Sequence, residues 1–232
     1  MSSLQSLAQL CADSYEDGAL VIDAGESQAL CEMDGGIPFI AIRGSDSTID
    51  WVRNLEVRQV ADRDLGPVHR GFLTAAIELW RNKAFGVWGS AHFQDHLPIF
   101  VTGHSQGGAV ATLLAHWFAD WFPTSEVYLA TFGSPRVLSQ DAMRNFDLVK
   151  KTSRSVYRDD LVPHVPIWGY EHVGEPVYLN TSLAGRTFRT WPAAVGAWIA
   201  KGGLNGWWGH GWEDHHISNY VQWSSSKEWP NA

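Results

Sequence analysis

The chain has 232 residues, of which 45% are hydrophobic and 18% charged, and a net charge of −8. This length suits one well-buried domain rather than two, and the hydrophobic share excludes a disordered chain. The acidic balance excludes nucleic acid, which requires basic patches, and gives no electrostatic help at an anionic membrane. Residues 1–18 (MSSLQSLAQLCADSYEDG) lack the basic and apolar regions of a signal peptide. They predict an amphipathic helix with Leu4, Leu7, Leu10 and Cys11 on one face. No run approaches the ~18 apolar residues of a membrane span. The expected compartment is therefore the cytoplasm, unless export uses a route that leaves no N-terminal signal. Cys11 and Cys31 have neither the number nor the spacing of a disulfide framework or a metal site, and read as reduced thiols.

Further along, Ile37 to Ile42 is apolar and ends near Gly44, as a buried strand does. Ser47 to Leu55 sets Ile49, Val52 and Leu55 against Asp50, Arg53 and Asn54, the pattern of an amphipathic helix. Apolar residues recur at helical spacing from Gly71 to Trp88. Pro98 to Thr102 (PIFVT) reads as a central strand. A helix is predicted over Ala109 to Trp121, a strand over Glu126 to Phe132, a short helix over Ser139 to Phe146 and a strand over Ser153 to Tyr157. This alternation predicts an α/β fold, a mostly parallel central sheet flanked by helices, in a single domain spanning 1–232. Residues 182–214 differ in character: they are rich in Gly and Trp, and seven of the 13 Trp residues lie from Trp191 onward. A cap or interfacial segment is expected there, because Trp favours water–lipid boundaries. A last helical pattern opens at Glu213 and runs through Tyr220 and Val221.

The chemistry-bearing motif is Gly103-His104-Ser105-Gln106-Gly107, a G-x-S-x-G pattern. It follows PIFVT and precedes GAVATLLAHWF, the strand–turn–helix setting in which such a serine stands clear of the sheet. Glycines two residues either side admit the sharp turn, and the helix N-terminus offers backbone N–H groups to an oxyanion. Ser105 is thus the candidate nucleophile. A carboxylate and a later histidine should follow in that order. Asp159 and Asp160, just past the strand ending at Tyr157, are both candidates for the acid. For the base, His164, His172, His210, His215 and His216 are available, with His215 and His216 best placed at the start of the last helix. His69 and His164 are expected to make buried, loop-fixing hydrogen bonds, and His104 to pack under the turn.

Five ordered blocks now carry a resemblance: AIRGSDSTIDWVRNL (41–55), VHRGF (68–72), VTGHSQGGAVATLLA (101–115), TFGSPRV (131–137) and DLVPHVP (160–166). Together they resemble the class 3 lipases, the fungal-lipase-like branch of the α/β-hydrolases. The resemblance implies Asp160 as the acid, from the D-x-V-P block. It implies His215 as the base, with His216 the alternative, because a histidine followed by an aliphatic residue and then a tyrosine fits His215-His216-Ile217-Ser218-Asn219-Tyr220. It implies an oxyanion hole from the backbone N–H groups of Ser45 and Gln106, and a lid over 46–63. The activity it implies is ester hydrolysis through an acyl-enzyme, most specifically on acylglycerols. A short-acyl or feruloyl-type esterase, a phospholipase A1, and a non-catalytic binding protein are the alternatives. No cofactor or metal is expected. The partners expected are an ester or lipid substrate and transient contact with a lipid interface.

Overall fold

A computed structural model describes residues 3–17, 19, 21–45, 58–158, 160–179 and 213–224. Helix α1 (Leu4–Asp13) leads into a meander of β1 (Val21–Asp23), β2 (Gln28–Asp34) and β3 (Ile37–Arg43), each antiparallel to the next. Strands β4 (Gln59–Asp62) and β5 (Gly66–His69) form a separate antiparallel pair. Helices α2 (Arg70–Arg81) and α3 (Lys83–His92) follow. Then come β6 (Ile99–His104), α4 (Gln106–Trp121), β7 (Val127–Phe132), the short α5 (Gln140–Arg144), β8 (Lys151–Tyr157), β9 (Pro176–Leu179) and α6 (Ile217–Ser224). The main sheet has the order β1-β2-β3-β6-β7-β8-β9, and every pairing from β3 to β9 is parallel. The expected α/β architecture with a mostly parallel sheet is therefore present.

The strands explain the layers. Side chains alternate across a strand with a period of two. In β3, Ile40 and Ile42 join the core beneath α2 and α4, while Phe39 and Ala41 join the core beneath α1 and α6. In β6, Ile99 and Val101 face the first core and Phe100 the second. All six residues of β6 are buried, as a central parallel strand covered on both faces must be. α1 buries the stripe Leu4, Leu7, Leu10 and Cys11 read from its sequence, and Ser3 caps it by accepting from the Ser6 N–H at 3.1 Å. Both cysteines are free thiols, and burial pushes each up to about 12, so they are inert at neutral pH.

The single helix expected over 71–88 is two. Asn82 breaks it: its backbone is extended, and its Oδ1 accepts from the N–H groups of Ala84 (2.8 Å) and Phe85 (3.2 Å), so the residue opens a second helix. His69 performs the same office for α2, its Nδ1 accepting from the Phe72 N–H at 3.4 Å, which is the buried loop-fixing role expected of it. Of the lid expected over 46–63, residues 46–57 lie outside the described residues, and 59–62 form β4. Residues 182–212 of the Trp/Gly-rich segment also lie outside them. Among the described residues, no helix is long and apolar enough to cross a membrane.

Candidate active site

Four of the positions singled out for chemistry gather at the C-terminal ends of the parallel strands. Ser105 follows β6, Asp160 follows β8, Ser45 follows β3, and the turn carrying His215 precedes α6.

The elbow is built by close approach. Ser105 has φ 57° and ψ −132°, a conformation that costs a residue with a Cβ of order 1–3 kcal/mol and is held only where the surroundings demand it. The surroundings here are backbone. A Cβ on Gly103 would lie 2.3 Å from the Gly107 carbonyl oxygen, and one on Gly107 would lie 2.1 Å from the Ile42 carbonyl oxygen. Both glycines of the motif are thus required by sterics. Gly108 is pressed in the same way against Ser134, whose Cβ would sit 2.7 Å from an added one. The Ser105 N–H is fixed to the Phe132 carbonyl at 3.0 Å, locking the turn to β7. Ser105 has no exposed surface, and its Oγ makes no hydrogen bond among the described residues. Bonds between a nucleophile and its base are often long in free enzymes and tighten with substrate.

Asp160 is fully buried, a costly place for a carboxylate unless its oxygens are satisfied. Its Oδ2 accepts from His215 Nδ1–H at 2.8 Å and also from the Tyr220 hydroxyl. Its Oδ1 accepts from the Val162 N–H at 2.9 Å. Tyr220 itself accepts from the Tyr157 N–H at 3.2 Å. Burial, reinforced by the charge of Asp160, pushes the Tyr220 phenol well above its ordinary range, so it stays protonated and can donate. With Nδ1 committed to the carboxylate, the His215 tautomer leaves Nε2 as the nitrogen able to take a proton.

Of the two adjacent histidines, the structure brings His215 to Asp160 and leaves His216 exposed. Asp159 lies outside the described residues. His215 is also brought against the nucleophile's neighbour: its ring stacks on that of His104, with centroids 4.6 Å apart and planes 29° from parallel. Gly133, at the end of β7, has φ +58°, and a Cβ there would lie 2.8 Å from Asp160 Oδ2 and 2.9 Å from His215 Cε1. The acid–base pair therefore sits directly on a glycine backbone.

Ser45 follows Gly44, which presses on the elbow so closely that an added Cβ would be 2.7 Å from the His104 carbonyl oxygen and 3.0 Å from Ser105 Cβ. Gln106 opens α4, where the first N–H groups have no helical partner. Both candidate oxyanion donors therefore flank Ser105. The other histidines stand apart from the pair. His172 Nε2 bonds the Pro163 carbonyl at 2.7 Å, and burial pushes His164 down to about 4.

The sequence reading missed three supports of this site. Tyr220 appeared only as the end of a histidine–tyrosine spacing. Gly133 stood only inside the TFGSPRV block, and Tyr15, whose hydroxyl lies within hydrogen-bond distance of the Gly44 N–H and His104 Nδ1, follows α1 with nothing in its neighbours to mark it.

The family model for lipase (class 3) matches residues 39–170, more than half of the chain, and the chain belongs to that family. The chain is 36% identical over 150 residues to secreted mono- and diacylglycerol lipase 1 of Fusarium solani, covering 61% of this chain and 43% of that protein. To the lipase of Rhizomucor miehei it is 32% identical over 153 residues, 61% of this chain and 41% of that one. The chain thus spans less than half the length of these curated relatives. A solved triacylglycerol lipase whose catalytic centre is a serine protease triad shares the fold, with a TM-score of 0.66 and 24% identity over 76% of this chain and 79% of that one. The cytoplasmic compartment expected from the first residues is corrected here, since the Fusarium solani relative is named as secreted. Lack of an apolar leader pattern within these residues does not decide the compartment.

Proposed function

We propose that this chain is a serine carboxylic ester hydrolase acting on acylglycerols, with Ser105 as nucleophile, His215 as base and Asp160 as the acid that orients it. The observation that carries the reading is the buried His215–Asp160 pair at 2.8 Å, held at the same strand ends as the strained Ser105 elbow. In the cycle, Ser105 Oγ attacks the ester carbonyl carbon while His215 Nε2 takes its proton. The carbonyl oxygen becomes an oxyanion held by the N–H groups of Ser45 and Gln106, each such donor contributing ~3 kcal/mol to the transition state. The C–O bond to the alcohol breaks, and His215 returns the proton to the departing oxygen. Water then attacks the acyl-enzyme with His215 again as base, releasing the carboxylic acid and restoring the serine. Asp160 stabilises the imidazolium formed in each half.

The acylglycerol substrate class is drawn from the family and from relatives named as lipases of mono- and diacylglycerols. The lid over 46–63 and the Trp/Gly-rich cap over 182–214 belong to the same proposal, as the parts that would meet a lipid interface. The test is hydrolysis of a chain-length series of p-nitrophenyl esters with and without an emulsion, alongside product analysis on tri-, di- and monoglycerides and phospholipid. Glycerol esters cleaved faster at an interface, with that gain reduced by Trp207→Ser and Trp208→Ser, are the expected outcome. Turnover confined to short soluble esters would replace lipase by esterase.

A further inference from the structure

Beside the Asp160 pair, a second chain of hydrogen bonds runs through the site from a residue far away in sequence. The hydroxyl of Tyr15, two residues past the end of α1, lies 2.8 Å from the Gly44 nitrogen and 3.1 Å from His104 Nδ1. On the other side of the same ring, His104 Nε2 lies 2.8 Å from the backbone carbonyl oxygen of His215. Proton counting assigns every donor. The His215 carbonyl can only accept, so a neutral His104 ring carries its one proton on Nε2; the Gly44 N–H can only donate, so the phenolic oxygen accepts there and offers its own proton to Nδ1. Nδ1 is then bare, and the ring's proton sits on Nε2, where it donates to the His215 carbonyl. The chain closes with a single tautomer of a neutral imidazole. The ring's position agrees with that assignment: it is buried, it stacks on His215, and burial with His215 alongside pushes its protonation well below the ordinary histidine range.

We infer that Tyr15 and His104 are positioning residues that tie the oxyanion turn, the nucleophile elbow and the backbone of the catalytic base into one rigid unit. Gly44 immediately precedes Ser45, His104 immediately precedes Ser105, and the carbonyl held is that of His215 itself. Asp160 orients the His215 ring; the His104 bond holds the main chain from which that ring hangs. The packing of α1 beside α6 on one face of the sheet places both ends of the bridge, since Tyr15 follows the first helix and His215 precedes the second. Tyr15 is itself steadied by the Arg43 guanidinium, 5.2 Å from its ring centroid. Neutrality of His104 also matters to the chemistry. His215 becomes a cation during each proton transfer, and a second charge stacked 4.6 Å away would oppose it.

The inference rests on the proposed function only for its kinetic effect, and two measurements separate the two. Nitrogen-15 NMR of the imidazoles in the wild-type protein at neutral pH, with His104 assigned by its loss in His104→Asn, reads the tautomer directly. A neutral ring protonated on Nε2 is expected; a ring protonated on Nδ1, or on both nitrogens, overturns the bridge. Single-turnover phosphonylation by a fluorophosphonate then reads positioning. Tyr15→Phe, which keeps the ring and removes the hydroxyl, is expected to react about 10-fold more slowly, to lower kcat with little change in KM for a soluble ester, and to keep the Nε2–H tautomer of His104 while its Nδ1 resonance moves toward that of a ring nitrogen with no hydrogen bond. A Tyr15→Phe protein that reacts at the wild-type rate overturns the inference. A wild-type protein that is not phosphonylated at all overturns the ester-hydrolase reading instead, while the NMR result still decides the bridge.

Discussion

The two edges of one sheet are built on opposite principles. At the C-terminal edge, β3, β6, β7 and β8 end in positive-φ backbone at Ser105 and Gly133, a fully buried carboxylate and two buried histidines, all in close backbone contact. Toward the other edge, the same strands lay Phe39, Phe100 and Tyr128 side by side, with neighbouring ring centroids 4.8 Å apart and planes 13° and 10° from parallel. One edge stores strain and polar order, and the other relaxed apolar contact. The comparison teaches that stability and reactivity are drawn from different ends of the same strands, so each should be removable without the other.

The largest effect expected is on activity. Ser105→Ala and His215→Ala should each lower kcat about 10⁶-fold, with the double variant no worse, because residues that act as a unit do not add. His216→Ala, at an exposed site, should stay near wild type. Asp160→Asn, which keeps the shape but spoils the tautomer, should cost about 10⁴-fold. Gly133→Ala follows: its methyl must displace Asp160 or His215, and a misplacement near 1 Å costs about 10²-fold, read as kcat/KM on a soluble ester.

On the opposite edge the expectation reverses. Phe100→Ala should lower unfolding free energy by about 3 kcal/mol in a denaturant titration and leave kcat unchanged while the protein is folded. A loss of kcat there would break the comparison. Tyr220→Phe sharpens it from the site side. It removes one donor to Asp160 and the acceptor of the Tyr157 N–H, for about 1–2 kcal/mol of stability and about 10-fold in kcat.

The gentlest test is pH. His104, His164 and His172 are all pushed down by burial, His164 to about 4. Above about 6.5 both folded and unfolded forms of these residues are neutral and contribute nothing to the pH dependence. Below it the unfolded chain binds protons that the folded protein refuses. Stability should therefore fall from about pH 6.5 toward pH 4, with a limiting slope of about 1.4 kcal/mol per pH unit for each histidine. Denaturant midpoints at pH 7, 6 and 5 check the sign; a rising midpoint would contradict it.

How much of this was legible in the sequence follows from how local each signal is. The elbow was, because its two glycines, its strand and its helix are contiguous. The parallel core was, because β6 and β7 open on the short apolar runs IFV and VYLA. The break at Asn82 was not, since helical periodicity continues across it and only the asparagine's capping bonds divide the helix. β2 escaped because in QALCEMD the apolar Ala29, Leu30 and Cys31 run together without a period of two, and no β-branched residue marks a strand. Choosing His215 over its neighbour needed the family pattern, since the two histidines are adjacent and only the turn before α6 decides which one faces inward. Tyr15 was beyond reach: its partners stand 29 and 89 residues away, and no local pattern encodes such a distance.

Peptide mapping by mass spectrometry after reaction with a fluorophosphonate tests the central claim most directly. A single adduct is expected on Ser105, lost in His215→Ala and retained in His216→Ala. An adduct on another residue, or labelling of Ser105 that persists at the wild-type rate in His215→Ala, would contradict it.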